Sequence, residues 1–313
     1  FGSKQRDLQI KDWEITGTTR FLGRTFTSSY GHSAYGIADR IKAKLLGFDE
    51  NNYILIGNEL ANPWLINNYW SKFLNYVRLD DWMIDNLEAL SPQLFDDIEY
   101  LSIDGSILGS EVGACFLESE WQRRFPNESI LKLNQADQNY GYKKLKELGM
   151  HSVDWFVTVH FRRKTNEVNR NNDYHKYIPA IEFAIESGFY VCVIGDNIEI
   201  EKEFRHPKFR DFTRSEGQDS RFNLFLLAEC QFMVGSSSGP LEVPPLFGKG
   251  VLWTNCSNLA MNRLHKNSLV IPRLRAGGHP PSFPEFLDDI SLGLYENDSI
   301  PESFSNYKML ENS

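Results

Sequence analysis

Cysteine is scarce in this chain. Only four occur in 313 residues, at positions 115, 192, 230 and 256, and none stand in a Cys-x-x-Cys pair. With Cys192 and Cys230 inside apolar runs, they read as free, mostly buried thiols of a reducing compartment, and the expected location is cytoplasmic. No Asp-x-Asp is present and no His, Cys or Glu group has metal-ligand spacing, so no metal site is expected. No apolar run reaches the ~18 residues of a membrane span, and no charged-then-apolar leader opens the chain, so neither a span nor a secretory leader is expected. Positive charge is in deficit: 33 Lys and Arg face 42 Asp and Glu, a net charge of −9. That balance argues against a nucleic-acid partner, because neutralising phosphates requires clustered cations and a favourable long-range field.

What is present describes an ordinary globular chain, 41% hydrophobic and 24% charged, long enough for two domains. The aromatic share of 13% is high and suits packing or stacking on flat, sugar-like faces. The cations that exist are grouped. Arg162, Arg163, Lys164 and Arg170 share one loop, and Arg205, His206, Lys208, Arg210 and Arg214 another. An acidic protein with a basic pocket points to a small anionic ligand, and solvated surface loops are the other reading of the second group.

Residues 155–196 organise the rest. The run Phe156 to Val159 is β-branched and aromatic, and it ends in His160, Arg162 and Arg163. Tyr177 to Gly188 has Ile178, Ile181 and Ile185 on one helical face, and Tyr190 to Ile194 is a second apolar strand. That is one βαβ unit, whose right-handed crossover puts both strand ends at one edge of a parallel sheet. Further strands are expected near 231–235, 250–254 and 268–272, with helices between them, the pattern of a doubly wound sheet. Residues 1–150 alternate less regularly. Strands are expected at Thr18 to Thr27, Tyr53 to Gly57 and Glu99 to Ile103. Helices are expected at Ala34 to Leu46, from Asn62-Pro63 through Leu74, after Asp80 and Asp81, and over Glu111 to Arg124 and Asp137 to Leu148. A last helix is expected over Phe283 to Leu294. The domains are therefore divided at 1–150 and 151–313.

Candidate binding groups lie at the strand ends. A guanidinium presents a donor fork that fits two phosphate oxygens, so Arg162, with His160 on the same side of an extended segment, is a natural diphosphate clamp. Arg163 stands beside it. The loop Gly235-Ser236-Ser237-Ser238-Gly239 offers hydroxyls and amides at the expected start of a helix, where unpartnered N–H groups favour an anion. It is neither a Walker A loop nor a Gly-x-Gly-x-x-Gly turn. Asp196 ends a strand where a carboxylate can accept ribose hydroxyls, with helix capping as the alternative. Asp219 reads as an N-cap by position.

The segment Val159-His160-Phe161-Arg162-Arg163 resembles the Val-His-x-Arg-Arg motif of fucosyltransferase-like glycosyltransferases. The run from Asp219 to Lys249 is similar to their later segment, as is Gly31-His32 to the turn before the first helix of bacterial surface-polysaccharide transferases in that superfamily. The resemblance implies an α/β, GT-B architecture: two Rossmann-like domains facing a central cleft, an acceptor-side domain at 1–150 and a nucleotide-sugar domain at 151–313. It also implies a glycosyltransferase moving a sugar from a nucleoside-diphosphate donor, GDP- or UDP-linked, to a glycan or lipid-linked acceptor, with peripheral membrane association open. No resident cofactor is expected. Arg162 would hold the diphosphate with His160 and Arg163, the hydroxyls of Ser236, Ser237 and Ser238 and the Gly239 turn would flank it, and Asp196 and Asp219 would lie on the base or ribose side. His32 is the candidate base for the acceptor, with Glu167 and Asp173 as competitors. This chain departs from the pattern in its long Asn-rich loop (Asn166, Asn169, Asn171, Asn172) and in Pro244-Pro245, where an apolar helix should run on. A nucleotide-sugar epimerase on the same fold and a non-catalytic glycan- or nucleotide-binding module are the alternatives.

Overall fold

Strands and helices alternate along the chain, and in the computed structural model every strand pair of the two larger sheets is parallel. The structure describes residues 20–22, 27–31, 52–72, 75–90, 99–101, 107–109, 118–151, 154–163, 171–196, 204–214, 219–256, 266–272, 274–275 and 309–310. The chain divides into two units, Phe1–Ser110 and Glu111–Ser313. Residues 111–150, which the sequence assigns to the first domain, thus belong to the second.

In the first unit β1 (Arg20–Leu22), β2 (Asn52–Ile56) and β3 (Asn75–Arg78) form a sheet in that order. Helix α1 (Pro63–Asn68) starts as its sequence predicts, with proline in its first turn and Asn62 Oδ1 accepting from the Leu65 amide at 2.8 Å. It stops at Asn68, however, short of Leu74, and a 3-10 turn at Trp70–Lys72 leads into β3. That strand is absent from the sequence reading because it holds only two nonpolar side chains, Tyr76 and Val77, between Asn75 and Arg78. Helix α2 (Asp81–Leu90) follows, and then β4 (Glu99–Leu101) and β5 (Ile107–Gly109), an antiparallel pair. Leu65, Ile66, Trp70 and Ile84 are buried here. The helices expected at 34–46 and 283–294 lie outside the described residues.

The second unit carries the regular sheet. Its strands are β6 (Phe156–Phe161), β7 (Tyr190–Gly195), β8 (Phe209–Asp211), β9 (Phe232–Gly235), β10 (Gly250–Cys256) and β11 (Leu269–Pro272). They pair in the order β11-β10-β9-β6-β7-β8. The winding reverses between β6 and β9, which is the arrangement of a doubly wound sheet. All six residues of β6 are buried: Val157, Val159 and Phe161 make one face wholly apolar, and the other carries Phe156 with the polar Thr158 and His160.

Two layers cover β6. On one side Val157, Val159 and Phe161 join Val191, Val193, Phe209 and Tyr177 in a core with Ile181 and Ile185 of α4 (Ile178–Glu186), preceded by a 3-10 turn at Tyr174–Tyr177. On the other, α5 (Ser220–Glu229) lies over Phe156 and Thr158. Phe156 and Phe225 stack at 6.2 Å, and Thr158 Oγ1 donates to the Leu226 carbonyl at 2.9 Å. Helix α3 (Gln135–Glu147) packs on α5 in turn, at a close approach: a Cβ on Gly141 would lie 2.0 Å from the Phe225 ring.

Strand β8 is a further departure from the sequence reading, and it redraws the second basic group. Arg205, His206 and Lys208 precede the strand, at the amino end of the sheet, away from the edge where β6 and β9 end. Arg210 donates to the Leu148 carbonyl at 3.2 and 2.8 Å and to Pro207 at 2.6 Å, and Lys208 donates to the Gly188 carbonyl at 3.0 Å. A guanidinium on the open carbonyls that end α3 is a helix stop, which cations favour there. Lys208 and Arg210 therefore fasten the sheet's amino end and do not line a ligand pocket.

Candidate functional site

Strands β6 and β9 are neighbours, with His160 opposite Gly235. Arg162 and Ser236 therefore leave the same edge of one sheet from adjacent strands, at the point where the winding reverses. In open α/β sheets ligands bind outside the strands' carboxyl ends at such a reversal. The two segments that the sequence singles out independently are thus brought together by topology.

Each member has a definite setting. His160 is buried, 5% exposed, and Arg162 is half-buried. Arg163 is exposed, and its backbone N–H donates to Asp196 Oδ2 at 2.8 Å, while the Asp196 N–H donates to the Phe161 carbonyl at 3.0 Å. Asp196 so locks the ends of β6 and β7 together, in addition to any part it takes in a ligand. This requires Gly195: its φ is +113°, and a Cβ would stand 2.1 Å from the Phe161 carbonyl oxygen.

Ser236, Ser237 and Ser238 are buried at 0, 4 and 6% exposure, with Gly239 half-buried after them, and Ser237 Oγ donates to Cys256 Sγ at 3.7 Å. The helix expected here is not formed. Two 3-10 turns, Gly239–Glu242 and Pro244–Phe247, take its place, because Pro240, Pro244 and Pro245 lack the N–H groups an α-helix would use. The loop therefore presents no α-helix dipole to an anion, only three serines beside the end of β6.

Asp219 is the N-cap its position predicts, accepting from the Arg221 and Phe222 amides at 3.1 Å each. It also accepts a short hydrogen bond from the Tyr140 hydroxyl. Burial, reinforced by that carboxylate, pushes the Tyr140 phenol up to about 12. Arg221 lies over the Tyr140 ring at 4.2 Å and pairs with the buried Asp137 at 2.7 Å. This cluster joins α3 to α5.

His32 and Glu167 lie outside the described residues. Two positions before His32, Tyr30 Oη accepts from Asn62 Nδ2 at 2.9 Å. Asp173 caps the Tyr174–Tyr177 turn and pairs with His175 Nδ1 at 2.8 Å. That bond holds its pKa below the usual carboxylate value, which weakens it as a general base.

Sequence reasoning missed a polar chain at the strands' carboxyl ends. Asn172 Nδ2 contacts the His160 carbonyl at 3.4 Å and Tyr177 Oη at 3.1 Å. Tyr177 Oη meets Thr254 Oγ1 at 2.5 Å, and Thr254 Oγ1 donates to the Gly235 carbonyl at 3.1 Å. It ties β6, β9 and β10 together. The only trace in the sequence was the Asn-rich loop, since Tyr177 and Thr254 read as ordinary helix and strand residues.

Together these features define an α/β protein with a doubly wound parallel sheet, and its fold is of the GT-B class. No family model matches the chain, and neither does any curated protein. Among solved structures the chain is similar to E. coli ADP-heptose LPS heptosyltransferase II, at 12% identity and a TM-score of 0.52, over 90% of this chain and 100% of that one. It is also similar to a glycosyl transferase of family 9 from Veillonella parvula, at 9% identity and a TM-score of 0.56, over 93% and 92% of the two chains. Neither is a fucosyltransferase, so the likeness supports the fold and not the fucosyl branch. Among the described residues no helix is long and apolar enough to cross a membrane.

Proposed function

We propose that this chain is a glycosyltransferase that moves a sugar from a nucleoside-diphosphate donor to a glycan or lipid-linked acceptor, in the assembly of a bacterial surface polysaccharide. The observation that carries the reading is the pairing of His160 with Gly235, which puts a guanidinium and a three-serine loop at one switch point. Cleaving the bond between the sugar and the diphosphate builds negative charge on the β-phosphate. Arg162 would offset it with a two-pronged, permanently charged donor, and Ser238, the most accessible of the three serines, would add an uncharged one. In this reading a metal ion is not required, because the leaving diphosphate is stabilised by protein groups. The acceptor hydroxyl needs a base, and His32 is the candidate.

The sequence resemblance favours GDP or UDP in the donor, and the name of the E. coli neighbour adds ADP to the set. The test measures release of nucleoside diphosphate from GDP-, UDP- and ADP-linked sugars with and without a glycan acceptor. Acceptor-dependent release is expected. Binding without turnover for every acceptor offered would leave a binding module in its place, and release of an isomerised nucleotide sugar would leave an epimerase.

A further inference from the structure

The end of β6 and the start of the serine loop are joined by one run of hydrogen bonds. His160 and Gly235 stand opposite each other on β6 and β9, just before Arg162 and Ser236. The run begins at the His160 carbonyl, which accepts from Asn172 Nδ2 at 3.4 Å, and it ends at the Gly235 carbonyl, which accepts from Thr254 Oγ1 at 3.1 Å. Tyr177 joins the two halves: its hydroxyl accepts from Asn172 Nδ2 at 3.1 Å and meets Thr254 Oγ1 at 2.5 Å. Chemistry fixes the direction of that last bond. A carbonyl only accepts, so the single Thr254 hydroxyl hydrogen goes to Gly235 and Tyr177 gives its own to Thr254. Asn172 adds a second hold on the same strand end, because its backbone N–H donates to the Arg162 carbonyl at 3.2 Å. The Tyr177 ring adds a third, meeting the ring of Phe161 edge-on at 5.1 Å.

Stability alone does not account for this run. Tyr177 is buried in the core with Val157, Val159 and Ile181, and a phenylalanine would fill that place with no hydroxyl to take out of water. What a buried hydrogen-bond chain supplies is one definite geometry, since each bond directs its neighbours. The geometry set here is the separation of the two segments that the proposed function brings onto one diphosphate. Donors held in place beforehand lose no free energy to reorganisation when charge develops between them. We propose that Tyr177 is a positioning residue of the donor site: its hydroxyl, acting through Asn172 and Thr254, holds Arg162 and the serine loop at the spacing a nucleoside diphosphate requires. This rests on the function proposed above.

The test measures dissociation constants of GDP, UDP and ADP for the folded wild type, Arg162→Ala, Tyr177→Phe, Thr254→Val and Thr254→Ser, with urea unfolding of each alongside. At least one diphosphate should bind the wild type, and Arg162→Ala should weaken it. Tyr177→Phe and Thr254→Val keep the shape of the side chain and remove a hydroxyl. Each should weaken that diphosphate roughly three- to tenfold, the worth of one net hydrogen bond, whereas Thr254→Ser, which keeps the hydroxyl, should change it less than about twofold. A merely structural chain would lower the unfolding midpoint and leave the affinity of the folded protein as it was; that result overturns the inference and leaves the transferase reading standing. Equal weakening by Thr254→Ser and Thr254→Val overturns it as well, because the hydroxyl is then not the group that matters. If Tyr177→Phe does not fold, the two Thr254 variants decide by the same criteria. Failure of every diphosphate to bind the wild type, or binding undisturbed by Arg162→Ala, overturns both.

Discussion

Arg162 is the residue on which the proposed chemistry turns, and its role separates binding from folding. It is half-buried at the end of β6 with its Nε enclosed, so Arg162→Ala should cost on the order of 1 kcal/mol in unfolding through lost packing, without preventing folding. The same variant should abolish any thermal stabilisation by the nucleoside diphosphate. Equal stabilisation of variant and wild type in a thermal-shift titration would remove Arg162 from the site. Gly195 is the opposite case. Its positive φ, and the Phe161 carbonyl oxygen 2.1 Å from where a Cβ would stand, leave no relaxed place for a side chain, so Gly195→Ala should cost roughly 3 kcal/mol, measured by urea unfolding. The cysteines give a third test. Cys192 and Cys230 are buried, and burial drives both thiols up, Cys230 to about 12. Little thiolate exists at pH 8, so iodoacetamide should label them only at the rate of unfolding, read by site-resolved mass spectrometry. At this scale the sequence was informative about chemistry and silent about partners: Arg162 could be chosen from its charge and its place after a strand, whereas nothing in Tyr177 or Thr254 announced the hydrogen bonds they make.

At the scale of elements, the contact between α3 and α5 shows how local preference and packing compete. Gly141→Ala would gain about 1 kcal/mol of helix propensity. The added methyl would stand 2.0 Å from a fully buried Phe225 ring, and overpacking of that kind costs about 1–3 kcal/mol. Packing should win, with a net loss of up to about 2 kcal/mol in chemical denaturation. The Tyr140–Asp219 bond joins the same two helices. Because the folded phenol titrates near 12 and an unfolded one near 10, its share of stability is complete below pH ~10 and is lost as pH rises through 12. Tyr140→Phe should flatten stability against pH across that window, and an unchanged slope would show that folding does not raise the phenol. Strand β6, α4 and β7 were legible as elements because their apolar spacing is unambiguous. Strand β8 and the 3-10 turns after Ser238 were not. The first is three residues long with charges at two of them, and the second depends on prolines acting against an otherwise helical apolar run.

For the whole molecule, the observable consequence of a donor site is linkage. A ligand that binds only the folded chain at a hundred times its dissociation constant adds about 2.7 kcal/mol, which should raise the unfolding midpoint by roughly 5 °C. A panel of ADP, GDP and UDP should therefore yield at least one clear shift, and none at all would remove the nucleotide from the proposal. What the sequence determined alone was the alternation of strand and helix and the kind of side chain waiting at each strand end, since period and residue chemistry are local properties. The division of the chain at 110, the neighbourhood of β6 and β9, and the burial of the serine loop were decided only in three dimensions. Strands far apart in the chain become neighbours through the order in which the sheet is wound, and no short-range pattern encodes that order.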